Sequence, residues 1–170
     1  DRQRFRNEDL VLEVSTAVNR SNWDESRYEA FIDELCGNRD YQNQAIRTTL
    51  RYLIGGEYSS LKQLARENFD KNPALVARYG SWANFQKKLQ LPEQLSASLD
   101  LATGTGKSYV LYGIAAILLA EGAVDRVLVL CPSNTIELGL LDKFRALATN
   151  NDLRDLLPYD AQIAAPQIID

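Results

Sequence analysis

Apolar residues recur along the first half of the chain at the spacing of a helix face. Tyr28, Phe31, Ile32 and Leu35 stand at i, i+3, i+4 and i+7 and stop at Gly37, behind a capping box formed by Asn22 and Glu25. The pattern predicts an amphipathic helix. A second is expected from about residue 41 to 54, with Ile46, Leu50, Leu53 and Ile54 on one stripe and Gly55-Gly56 ending it. Three shorter helical segments follow. Ser60 with Gln63 opens one, Asn72-Pro73 puts proline in the first turn of another, and Ser81 precedes Trp82, Phe85 and Leu89 in the third.

From about Leu95 the period changes. SASLDL, a Gly/Thr-rich loop, YVLYGIAAILLA and RVLVLCPS succeed one another, which reads as strand, loop, helix, strand: a βαβ unit with a buried parallel sheet. A further helix, opened by Asn134 and Glu137 and striped by Ile136, Leu140, Leu141, Phe144 and Leu147, leads to a candidate strand, PQIID, at 166–170.

Composition narrows this picture only a little. The chain has 170 residues, 45% of them apolar, the size of about one globular domain. No apolar run approaches the ~20 residues of a membrane span, and DRQRFRNEDL lacks the apolar centre of a signal peptide. A cytoplasmic location away from membranes is therefore expected. Cys36 and Cys131 belong to no CxxC or Cys/His cluster, so two free thiols are expected. Residues 1–95 carry 14 basic and 14 acidic side chains and residues 96–170 carry 5 and 9. Any contact with nucleic acid is accordingly local, and Arg2, Arg4 and Arg6 read as a solvated basic end. The chain lacks Met altogether, the initiator included, which suggests a piece of something longer.

The chemistry is concentrated in LDLATGTGKSYV, residues 99–110. Gly104 and Gly106 let the backbone turn tightly, so that the N–H groups of Thr105, Gly106, Lys107 and Ser108 converge on an anion. The helix that starts there adds its positive end, Lys107 reaches the β- and γ-phosphates of a nucleotide, and Ser108 is the expected Mg²⁺ ligand. Thr103 belongs to the same loop. The full phosphate-loop pattern wants glycine at position 101, where this chain has Leu101.

ATGTGKS at 102–108 resembles the first motif of the superfamily 2 helicases, which often lack that glycine. RDYQNQAI at 39–46 is similar to their adenine-reading segment, which implies that role for Gln42, with Tyr41 and Arg39 in support; a side-chain amide can donate to N7 and accept from N6–H of adenine together. VLVLCPSNTIELGLLDKF at 127–144 resembles the motif after the second strand, which implies that Pro132, Ser133 and Asn134 touch the backbone of a nucleic-acid strand. Cys131-Pro132-Ser133, with Ile136 and Gly139, is especially similar to the restriction subunits of type III restriction enzymes and their DEAD/DEAH-like relatives, and AAPQIID is similar to what precedes the acidic box there.

That resemblance implies an α/β fold, a partial RecA-like domain with a parallel sheet. A helical extension over 1–38 would precede it, and the domain would occupy 39–170 with a helical insertion at about 56–95. It implies an ATP- and Mg²⁺-dependent helicase or translocase on DNA, related to restriction or phage defence, with Lys107 and Ser108 as catalytic groups and a methyltransferase or specificity subunit as a candidate partner. Two alternatives share the loop: an AAA-type or other phosphate-loop ATPase, and a non-catalytic nucleotide-binding scaffold. No Asp-Glu pair closes an apolar strand after Ser108. The acidic box is therefore expected beyond Asp170, and the 170-residue chain is expected not to hydrolyse ATP alone.

Overall fold

The computed structural model describes residues 11–19, 21–89, 91, 93–102 and 104–169. Asp24, two residues later than the Asn22 cap read from the sequence, accepts the Ser26 N–H and opens a 3-10 turn at Glu25–Tyr28, which passes into α1 (Glu29–Cys36). Helix α2 (Asp40–Leu50) runs on into a π-helical turn, Arg51–Gly55. Helices α3 (Leu61–Lys71), α4 (Pro73–Tyr79) and α5 (Trp82–Gln86) begin at Ser60, Asn72 and Ser81, whose side chains accept from N–H groups two or three residues on. These are the caps the sequence announces, because a short polar side chain ahead of an apolar stripe satisfies an otherwise orphaned donor. Helices α6 (Lys107–Ala120), α7 (Asn134–Ala148) and α8 (Asn151–Arg154) complete the order.

Helix α6 is apolar on nearly every face, which suits only a helix surrounded by others. It packs on α1, α2 and α7, and Val110, Tyr112, Ala116, Ile117 and Ala120 join Phe31, Ile32, Leu35, Ile46, Leu50, Phe144 and Leu147 in the main core. Gly113 permits the close approach: a Cβ there would lie 2.8 Å from both Ile46 Cδ1 and Leu35 Cδ2. Residues 61–89 make a smaller aromatic core of their own, in which Phe85 is fully buried among Phe69, Tyr79 and Trp82. The Tyr52 hydroxyl, hydrogen-bonded to the Ser96 backbone at both N–H and C=O, ties the segment that follows this unit to the π-helical turn.

The α/β fold with a parallel sheet is not what the structure has. The described residues are helical or irregular and contain no strand, so the RecA-like reading of the fold is overturned. SASLDL, RVLVLC and PQII are irregular and exchange no ladder hydrogen bonds; Asp170, which ends the third run, lies outside the described residues. The physical reason is that a strand exists only through its neighbours: each N–H and C=O needs a partner on the next strand. A continuous apolar run reads the same whether or not those partners are present. In the 126–131 run Val127 and Val129 are exposed, and Leu128 and Leu130 more so, at 82% and 83%. The supposed central strand is thus bare on both faces.

Among the described residues no helix is long and apolar enough to cross a membrane, and Cys36 and Cys131 are both free thiols.

Glu25 joins the start of the fold to α2 by accepting from Arg47 and, on both carboxylate oxygens, from Arg51. Burial pushes its pKa up, but the hydrogen bond and charge of Arg51 and the charge of Arg47 outweigh that and leave it below the ordinary value of 4.5. A depressed folded pKa stabilises above the unfolded value and is lost as pH falls through the folded one. Urea midpoints should therefore fall on acidification below about pH 4.5, and more steeply for the wild type than for Glu25→Gln. Parallel curves would exclude the ion pair as the cause.

Candidate functional site: a phosphate loop between two helix starts

The loop at 104–108 has the backbone its glycines were expected to provide. Gly104 and Gly106 have φ of +79° and +73°, the left-handed region that L side chains avoid. Gly106 is the residue before α6, with no side chain to cap the helix; in the first turn the Tyr109 N–H donates to the Gly106 carbonyl at 3.0 Å. Within the loop the Thr105 hydroxyl donates to the Ala102 carbonyl at 2.6 Å. Lys107 is exposed at the first position of α6 and forms no ion pair among the described residues, and Ser108 beside it is half-buried. Thr103 lies outside the described residues.

The start of α2 meets this loop. The Tyr41 hydroxyl donates to the Thr105 carbonyl at 3.1 Å, and the Gln42 side-chain amide donates to the same carbonyl and, at 3.4 Å, to that of Gly106. Gln42 is fully buried, and its Oε1 has no hydrogen-bond partner. A buried acceptor left so costs about 1–3 kcal/mol, a debit that a donor from a bound nucleotide would remove. The amide nitrogen is committed to the loop, so a two-point contact with adenine requires Gln42 to release Thr105, whereas Oε1 alone is free to accept. Arg39 precedes α2 and is exposed, with its guanidinium 5.6 Å from the centre of the Tyr109 ring.

The third group stands apart on α7. Pro132, Ser133 and Asn134 are all exposed. The helix cap is Ser133 rather than Asn134: its Oγ accepts the Ile136 N–H at a long 3.5 Å, and its carbonyl accepts from Glu137 N–H at 3.0 Å. The structure therefore brings together Arg39, Tyr41, Gln42 and the loop from Gly104 to Ser108, and leaves the 132–134 segment as a separate exposed helix start.

Two residues of the site escaped the sequence reading. Tyr109 passed as one more apolar residue of α6, yet its ring carries Arg39 and also the Lys143 ammonium, 5.2 Å from its centre. Lys143 lies three residues after Leu140 and four before Leu147; a lone cation on an apolar stripe was the available signal.

The loop fits a nucleotide's phosphates by its positive-φ glycines, the start of α6 and the exposed Lys107, although the Thr105 N–H is taken by the Ala102 carbonyl at 3.4 Å. For Mg²⁺ the protein offers the Ser108 hydroxyl; among the described residues no cluster of His, Cys, Asp or Glu could hold a metal, so most ligands would come from phosphate and water, which is usual for this ion. Bound there, Mg²⁺ would neutralise phosphate charge.

The family model described as "Type III restriction enzyme, res subunit" matches residues 35–164. The chain belongs to that family, whose members are helicase-like ATPases. No curated protein and no solved structure matches it.

Proposed function

We propose that this chain provides the ATP-binding site and one strand-contact segment of an ATP-dependent DNA translocase of the restriction type, with a methyltransferase or specificity subunit as its candidate partner. The observation that carries this is the loop: two left-handed glycines deliver the backbone into α6 with Lys107 unpaired and Ser108 next to it. In this reading the loop donors and Lys107 hold the β- and γ-phosphates, and Ser108 holds Mg²⁺. Gln42 and Tyr41 brace the loop through Thr105. Pro132, Ser133 and Asn134 touch the backbone of the strand, positioning it without reading its sequence. Connection to phage defence follows from the restriction family and is part of the same proposal.

Calorimetric titration of the chain with ATP and with GTP in Mg²⁺ tests it. Saturable binding that disappears when Lys107 is replaced supports the reading; heats of dilution alone would end it. Gln42 adds a sharper prediction. As a brace of the loop it acts on the phosphates, so Gln42→Ala should weaken ATP and GTP by the same factor, about fivefold for one lost hydrogen bond. Loss of ATP affinity alone, by the ~1–3 kcal/mol of a bidentate base contact, would assign it to adenine instead.

Ser133→Ala should weaken binding of single strands of every sequence alike, because a backbone contact is blind to bases. It should also cost the protein about 1 kcal/mol as a lost helix cap. Filter binding with oligothymidylate and mixed-sequence strands, alongside thermal melts, checks both; sequence-selective loss would refute the backbone assignment.

A further inference from the structure

Beside the phosphate loop, three residues from three helices meet without any carboxylate among them. Tyr109 is the third residue of α6, Lys143 comes from the middle of α7, and Arg39 stands immediately before α2. The ring has both cations near it, at 5.6 Å for the guanidinium and 5.2 Å for the ammonium. Lys143 also donates to the Tyr109 hydroxyl at 3.5 Å, and Arg39 donates to the Cys36 carbonyl at the same length. Asp40 and Asp142, their neighbours in sequence, pair with neither among the described residues.

Several other cations of the molecule are neutralised by carboxylates. Arg27, Arg47, Arg51, Lys62, Arg66 and Lys71 are all within 4 Å of a carboxylate. Arg39 and Lys143 are held instead by an aromatic ring, which attracts cations without neutralising them. An arginine offers five N–H donors and a lysine three, and here only one long hydrogen bond of each is used. Neither cation has a carboxylate within 4 Å among the described residues, so both keep their charge and most of their donors for a ligand. What such a pair recognises is negative charge rich in acceptor oxygens.

We propose that Arg39, Tyr109 and Lys143 form a second phosphate-binding site next to the loop, distinct from the contact made by Lys107. Arg39 and Lys143 bind the phosphate oxygens directly, and Tyr109 is a positioning residue that contacts both of them. The phosphate belongs either to the polyphosphate tail of a nucleotide or to the backbone of a strand. The ring lies close to the loop in any event, since a Cβ on Gly106 would come within 3.3 Å of Tyr109 Cδ2.

The test titrates the 170-residue chain and its Arg39→Gln, Lys143→Gln and Lys87→Gln variants with inorganic tripolyphosphate and, separately, with a short oligothymidylate. Lys87 is exposed and outside this group, so its loss reports the effect of net charge alone. The expected result is that Arg39→Gln and Lys143→Gln each weaken at least one probe by roughly fivefold more than Lys87→Gln does, with the salt slope for the oligonucleotide reduced by about 0.7 where a strand contact is lost. Lys143→Arg should restore binding, because the charge and its ring contact persist. Loss confined to tripolyphosphate assigns the site to the nucleotide, loss confined to the oligonucleotide assigns it to the strand, and loss of both means that the two share it. Equal behaviour of all three glutamine variants overturns the proposal. Arg39 is exposed, so its variant remains informative if Lys143→Gln fails to fold. Tripolyphosphate binding by Lys107→Ala judges the loop separately, so failure of one site is not mistaken for failure of the other.

Discussion

In the Lys107→Ala variant, nucleotide affinity should fall by about 10- to 100-fold, the equivalent of the ~1.5–3 kcal/mol that a hydrogen bond to a charged group contributes. The thermal midpoint should hardly move. Lys107 is exposed, opens α6 and pairs with no carboxylate, so its removal takes nothing from the packed structure, and exposed substitutions of that kind usually stay within about 0.5 kcal/mol. Helix α6 itself is secured elsewhere, by Val110, Ala116, Ile117 and Ala120 in the main core. The combination is what makes the experiment decisive: a side chain that matters to binding and not to folding has a ligand as its only partner. Calorimetry with ATP and a parallel melt measure the two halves. Unchanged affinity would remove the phosphate-loop assignment, and a large drop in midpoint would show that Lys107 has a structural role.

How much of this was legible in the sequence depends on whether the information was local. Ser60, Asn72 and Ser81 cap their helices because a cap is settled within three residues. The loop glycines were legible for the same reason: Gly104 and Gly106 adopt left-handed backbone within a five-residue motif. The sheet was not. RVLVLC carries the composition of a buried strand, yet its pairing partners are not written into those six residues, and the structure leaves Leu128 and Leu130 facing outward. Gln42 falls between the two cases. Its position near the loop followed from the family resemblance, but that its amide would turn to the carbonyls of Thr105 and Gly106 depends on how α2 lies against α6, a packing fact set by Ile46, Leu35 and the absence of a side chain at Gly113. The Arg39–Tyr109–Lys143 group needs three helices to be placed at once, and periodicity along any one of them is silent about it.

The two loop glycines should respond differently to the same substitution, although their φ values are nearly equal at +79° for Gly104 and +73° for Gly106. Alanine at either position places an L residue in the left-handed region, at a cost of roughly 1–2 kcal/mol. At Gly104 that is the whole effect, because an added Cβ would meet nothing within 4 Å. At Gly106 the Cβ would lie 2.6 Å from Gln42 Nε2, closer than real Cβ atoms come, so the fully buried amide has to swing away from the loop. Gly106→Ala therefore has to break the hydrogen bonds from Gln42 to Thr105 and Gly106, adding about 1–3 kcal/mol for buried polar groups left unpaired. It should also weaken ATP, since the brace and the nest are lost together. A double-mutant cycle isolates this contact. If the extra cost comes from Gln42, then Gly106→Ala combined with Gln42→Ala should be less destabilising than the sum of the two single changes, by about 1 kcal/mol or more, because the lost hydrogen bonds are counted in both single changes and the clash is absent from the double one. Gly104→Ala combined with Gln42→Ala should be additive. Urea denaturation of the six proteins, wild type included, supplies every term, and additivity at Gly106 would mean that Gln42 does not brace the loop.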